Sequence, residues 1–106
     1  MIVVNTDFVP GHEIVEALGL VRGTTVRARH LGKDIMAGLK NIVGGEIHDY
    51  TKLMAESREQ ALDRMTEEAK ARGADAVVNV RFANSEVSKA AAEVLVYGTA
   101  VNLRKL

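Results

Sequence analysis

Plotted at about 100° per residue, Ile47, Tyr50, Met54, Ala61, Leu62, Met65 and Ala69 fall on one side of the chain. Lys52, Glu56, Glu59, Asp63, Glu67 and Lys70 fall opposite. This pattern predicts a long amphipathic helix over residues 46–72. Glu46 and Asp49 bring carboxylates to the end where unpaired N–H groups and the positive dipole lie. Lys70 and Arg72 face the unpaired carbonyls of the last turn, and Gly73 can take the left-handed conformation that closes a helix. At Ala74-Asp75-Ala76-Val77-Val78 the period becomes strand-like, so the helix feeds directly into a sheet.

The same reading places a short strand at Ile2 to Val4, stopped by Asn5-Thr6-Asp7 and a turn at Pro10-Gly11. Residues 13–29 carry signals for both helix and strand. Two internal glycines, Gly19 and Gly23, would each weaken a helix by roughly 1 kcal/mol. In a strand they mark bulges or close backbone approach, so strand is expected. Leu31, Ile35, Met36, Leu39, Ile42 and Val43 recur at helical spacing before Gly44-Gly45, which predicts a short helix ahead of the long one. Ala76, Val78, Val80 and Phe82 alternate with Val77, Asn79 and Arg81 as in a half-buried strand, and Ser88-Lys89 suits a hairpin turn. The final strand, residues 93–103, is apolar on both faces: Leu95, Tyr97, Val101 and Leu103 on one, Val94, Val96 and Ala100 on the other. Such a strand must be covered twice. With two helices and one sheet the second cover is hard to find within one chain, which suggests self-association.

A length of 106 residues suits one domain, 1–106, with one modest core. Fourteen basic and fourteen acidic residues cancel, and aromatic residues make up 4% of the chain, so neither a nucleic-acid footprint nor an anionic-membrane surface is expected. The absence of cysteine excludes disulfides, thiolate metal sites and cysteine nucleophiles. The amino terminus lacks the basic and apolar regions of a signal peptide, and the longest charge-free run, 94–103, is far short of the ~20 residues of a membrane helix. A cytoplasmic location is expected.

Several stretches carry a family likeness: Asp34-Ile35-Met36-Ala37-Gly38, Ile42-Val43-Gly44-Gly45, Tyr50, Ala55-Glu56-Ser57-Arg58, Ala71 to Val78 and Gly98-Thr99-Ala100-Val101. In this order and spacing, over nearly the whole chain, the sequence resembles the YbjQ-like family of functionally uncharacterised proteins. The resemblance implies a small α+β domain, a ring-shaped homopentamer and a heavy-metal-binding label. The stretch Ala28 to Lys33 is more charged than in the family pattern, and Thr51-Lys52-Leu53 follows the tyrosine where a glutamate is common.

The candidate chemistries are sparse. His12, His30 and His48 are the only histidines, and no two are spaced to put ligands on one helical face. Met36, Met54 and Met65 lie on apolar helix faces and read as core. Gly44-Gly45 could offer N–H groups to an anion, but Glu46 and Asp49 put negative charge there, and no phosphate-loop pattern is present. A tight turn between helices is the simpler reading. No nucleophile motif appears, and the acids of the long helix lie on its solvated side.

Arg58 stands out because the helical wheel sets it about 20° from the centre of the apolar face. Its stem either packs over apolar surface while the guanidinium reaches solvent, or the charge is held in the domain or a subunit interface. Asp34, Glu46 and Asp75 are the partners in reach of the second reading. The expectation is an α+β fold with an antiparallel sheet of about four strands on one short and one long helix, assembling with copies of itself. The module is expected to be non-catalytic, with no catalytic or metal-ligating residues, no cofactor and no nucleic-acid or membrane partner. Gly44, Gly45, Tyr50, Arg58 and Asp75 are its candidate structural or interface site, the ligand is unknown, and the alternative is a divalent or heavy-metal-binding protein.

Overall fold

A computed structural model describes residues 1–28, 48–88 and 91–106. It shows an α+β arrangement of strands β1 (Ile2–Val3), β2 (His12–Ala28), β3 (Ala76–Ser88) and β4 (Ala91–Lys105) with helix α1 (His48–Ala71). The expected short helix lies outside the described residues, as do Gly44 and Gly45. The sheet order is β1-β3-β4-β2. Strands β2, β4 and β3 run antiparallel, and β3 and β4 close a hairpin with Ser88 opposite Ala91.

The sheet is mixed, which corrects the antiparallel expectation: β1 pairs parallel to β3, with Ile2 opposite Ala76 and Val3 opposite Val77. The reason lies in the segment that leaves β1. Residues 4–11 carry the chain from one edge of the sheet to the other, and on the way Val4 and Val9 pack on Ala76, Val78, Val101 and Leu103. Parallel pairing leaves the chain headed into that crossing, where buried apolar contact stabilises it.

This crossing is also the second cover that β4 requires. One face of β4, through Val94, Val96 and Ala100, joins Val21, Ala61, Met65, Ala69, Val77 and Val80 in the core under α1. The other face is covered within the chain at Val101 and Leu103. At Tyr97, 36% exposed, that second face is open. The doubly apolar pattern thus has two explanations, one for each half of the strand.

Strand β2 holds the conformation that its glycines permit. Register shifts occur between Ile14 and Glu16 and between Ala17 and Gly19, and Gly19 has φ +101°. Gly23 serves close approach: a Cβ there would stand 2.0 Å from the Ala61 carbonyl oxygen and 2.6 Å from the Met65 nitrogen. Only a bare backbone lets α1 lie this near the strand.

The alternation expected in β3 is broken at Asn79, which has φ +55°. Between Val78 and Arg81 the strand gains one residue against β4. This bulge moves Val80 to the helix side beside Val77 while Val78 stays on the other. Asparagine tolerates the left-handed region better than most side chains, so it can occupy the bulge.

Helix α1 ends as its sequence predicts. Gly73, at φ +77°, donates to Lys70 O at 2.9 Å and Ala74 donates to Ala69 O at 3.1 Å. These two bonds form a Schellman closure. No described helix is long and apolar enough to cross a membrane.

Candidate functional site

Of the candidate residues, Asp75 has the clearest part. Its backbone N–H donates to Val101 O at 3.0 Å, and its carboxylate Oδ2 accepts from Leu103 N at 2.8 Å. It ties the corner after α1 to the end of β4, which is a structural duty. Tyr50 lies in the first described turn of α1. Arg58 is exposed, so its charge is not held inside the domain.

The wheel misplaced Arg58 for a geometric reason. Among the residues of α1 whose burial is described, Ser57, Ala61, Met65 and Ala69 are buried, each four apart. A four-residue step advances by about 400°, so the contact line drifts some 40° per step around the helix. At the level of residue 58 the buried direction points along Ser57, about 100° from Arg58. A fixed-angle wheel averages over this drift, which a helix acquires when it lies on a twisted sheet.

The spacing that matters at the end of α1 belongs to Arg64 and Glu68, with Arg72 just past the last helical residue. Arg72 Nη1 donates to Leu20 O at 2.9 Å and to Leu18 O at 3.3 Å, while its Nη2 pairs with Glu68 Oε1 at 3.0 Å. Glu68 Oε2 accepts from the Arg22 N–H at 3.4 Å, and Arg64 Nη1 donates to Thr24 O at 2.5 Å. Three side chains at successive turns therefore occupy the backbone groups along the free edge of β2. The sequence signal was present in the Glu68–Arg72 pair at i, i+4. Its target on a distant strand was not visible there.

On the sheet face away from α1, Arg22 and Arg81 are register partners of Tyr97 on either side, forming a row of two cations about one aromatic ring. The adjacent exposed apolar residues are Leu20 at 58% and Val26 at 57%. Arg81 also donates through Nη1 to Asn5 O at 3.0 Å and Val80 O at 3.1 Å, which pins the start of the crossing segment. Under the helix, Thr25 is buried with its hydroxyl unpaired.

Metal-ligating potential among the described residues is limited. No group of three or more His, Asp or Glu side chains is close enough together to hold an ion. His12 Nδ1 lies 2.9 Å from Pro10 O at the turn, which occupies one ring nitrogen locally.

Comparison with known proteins places this arrangement in a family. Residues 1–104 match a family model described as "Putative heavy-metal-binding". A UPF0145 protein of Fervidobacterium nodosum is 61% identical over 106 residues, covering 100% of this chain and 98% of the relative. One from Archaeoglobus fulgidus is 60% identical over 104 residues, covering 98% of this chain and 96% of the relative. The crystal structure of a protein of unknown function from Pediococcus pentosaceus superposes with a TM-score of 0.65 at 16% identity, covering 98% of each chain, a likeness of fold alone. With the family model spanning nearly every residue and relatives of this identity in bacteria and archaea, the chain belongs to the YbjQ-like family of UPF0145 proteins.

Proposed function

We propose that this protein is a non-catalytic module that acts as a ring-shaped homo-oligomer, of five subunits as the resemblance implies, and binds a small ligand or a partner where subunits meet. The observation that carries the proposal is shape. A compact chain of this length has a radius of gyration of about 13 Å, whereas this one has 17.3 Å and extents of 56 × 25 × 17 Å. A chain so extended leaves apolar surface for another chain to cover, and Leu20, Val26, Phe82 and Tyr97 are exposed here. Light scattering coupled to size exclusion at micromolar concentration is expected to give about five subunits; a monomer would remove the basis of the reading.

In such an assembly Arg58 and Tyr50 are interface candidates, and Arg58 is free to meet a carboxylate or carbonyls of a neighbouring subunit. The family description favours metal binding as a second reading. It requires ligands from residues outside the described ones or from more than one subunit, since no described cluster supplies them. Calorimetric titration of untagged protein with zinc, copper and nickel separates the two. A stoichiometric sub-micromolar site lost on changing His30 or His48 would favour the metal.

A further inference from the structure

The two edges of the sheet are treated differently by the chain. Along β2 the residues whose backbone groups turn away from β4 are Leu18, Leu20, Arg22 and Thr24, and one such group of each is engaged by Arg72, Glu68 or Arg64. A strand cannot add to that stretch without displacing the ladder. Charged side chains laid over an edge are a known means of preventing unwanted pairing.

Along β3 the edge is closed only near its start. Val4 N–H donates to Val77 O at 2.9 Å, Asn79 N–H to Thr6 O at 2.9 Å and Val80 N–H to Val4 O at 3.1 Å. The Arg81 guanidinium then sits on Val80 O and Asn5 O. Because successive backbone groups of a strand alternate sides, the outward N–H of Val80 puts those of Phe82, Asn84 and Glu86 outward too. No described strand or side chain bonds to them. Phe82, 45% exposed, stands beside this open edge.

We infer that the outward edge of β3 at residues 82–86 is a strand-pairing edge that receives β2 of a second copy of this chain. The inference rests on the self-association proposed above and specifies how it is made. The chain carries the complementary half itself: Val26, the next residue of β2 after Thr24 whose backbone turns away from β4, meets no described partner on that side. The Val26 side chain, 57% exposed, stands beside this second stretch as Phe82 stands beside the first. Both stretches lie at the end of the sheet farthest from β1. A contact between two different edges is heterologous, so it propagates from copy to copy, and it closes as a ring when the rotation between copies divides a full turn. Backbone hydrogen bonds of this kind give strength without a particular side-chain code.

Proline substitution tests it, because proline removes an N–H. Asn84→Pro removes an outward donor and no bond to β4, so far-UV circular dichroism is expected to be unchanged while association weakens at least tenfold. Ala83→Pro removes an inward donor and is expected to disrupt the hairpin itself. The chain has no cysteine, so the pair Val26→Cys with Ser85→Cys, both on the face of the sheet away from α1, should give a ladder of covalent multimers on mild oxidation, whether or not the proline variant folds. Monomeric wild-type protein would overturn both this inference and the reading beneath it. Wild-type assembly that Asn84→Pro leaves intact, or that yields no ladder with the cysteine pair, would overturn this inference alone. Covalent dimers from Ser85→Cys by itself would overturn the β2 assignment in favour of a two-fold β3 contact.

Discussion

The half of the sheet beside β1 and the half beyond Tyr97 have similar apolar patterns and opposite circumstances. Near β1, Val101 is covered on one side by the crossing segment through Val9, and Ala100 is buried under α1. Farther along, α1 covers Val94 and Val96, yet Tyr97 and Val26 on the opposite face have no cover among the described residues. The difference teaches that a doubly apolar strand is not evidence of one particular neighbour. One half of β4 is completed by the chain's own amino-terminal segment, and the other half is the surface on which the proposed self-association rests.

The largest effect expected anywhere in the molecule is at the junction of α1 with β2. Gly23→Val should destabilise the fold by about 3 kcal/mol or more, because its side chain has no room beside Ala61 O. Chemical denaturation is the check, and a variant that melts like wild type would show that the helix can move off the strand at little cost.

The covered half is tested at Val101, which is 1% exposed. Val101→Ala removes two methyl groups from the contact with Val9 and should cost about 2 kcal/mol. Thermal melts of this variant beside Val9→Ala should show non-additive losses if the two side chains form one contact.

Thr25 offers a test of opposite sign. Its hydroxyl is buried without a partner, so Thr25→Val should leave stability unchanged or raise it by up to about 1 kcal/mol. A clear loss in denaturant titrations would mean that the hydroxyl is satisfied in solution.

The open half gives the smallest effect on folding and a separate effect on assembly. Tyr97→Ser should change the folding free energy of the separated chain by no more than about 0.5 kcal/mol while weakening association in sedimentation. Arg58→Ala should behave the same way if its guanidinium meets a neighbouring subunit, and Arg58→Lys should rescue little because the planar fork is lost. Wild-type sedimentation of both alanine and lysine variants would leave Arg58 an ordinary solvated side chain.

Much of the local architecture was legible in residue patterns. The helix ending at Gly73 and the strand after it were set by short-range chemistry, namely capping, a change of period and β-branched side chains. The choice of strand for β2 came from the cost of Gly19 and Gly23 in a helix, and both glycines serve the purposes a strand gives them. The candidate site was less legible. Asp75 has a bonding role, but with partners across the sheet at Val101 and Leu103 that no spacing revealed. Arg58 was drawn toward the core by a wheel that assumes a straight contact line. The Arg64–Glu68–Arg72 ladder has no local signature as a unit, because its acceptors lie some fifty residues earlier in the chain for Arg72, and forty for Arg64.

What the sequence determined by itself, then, is the long helix, the strands, and where α1 and β2 have to be bare or closed, because these depend on backbone conformations that neighbours along the chain impose. Tertiary structure alone decided that β1 lies parallel beside β3, that the amino-terminal crossing covers half of β4, and that the β2 edge of the sheet is bonded by side chains from the end of α1. Each of these joins residues far apart in sequence. Its free energy comes from burial and hydrogen bonds that exist only once the chain has folded back on itself, so no local pattern carries it.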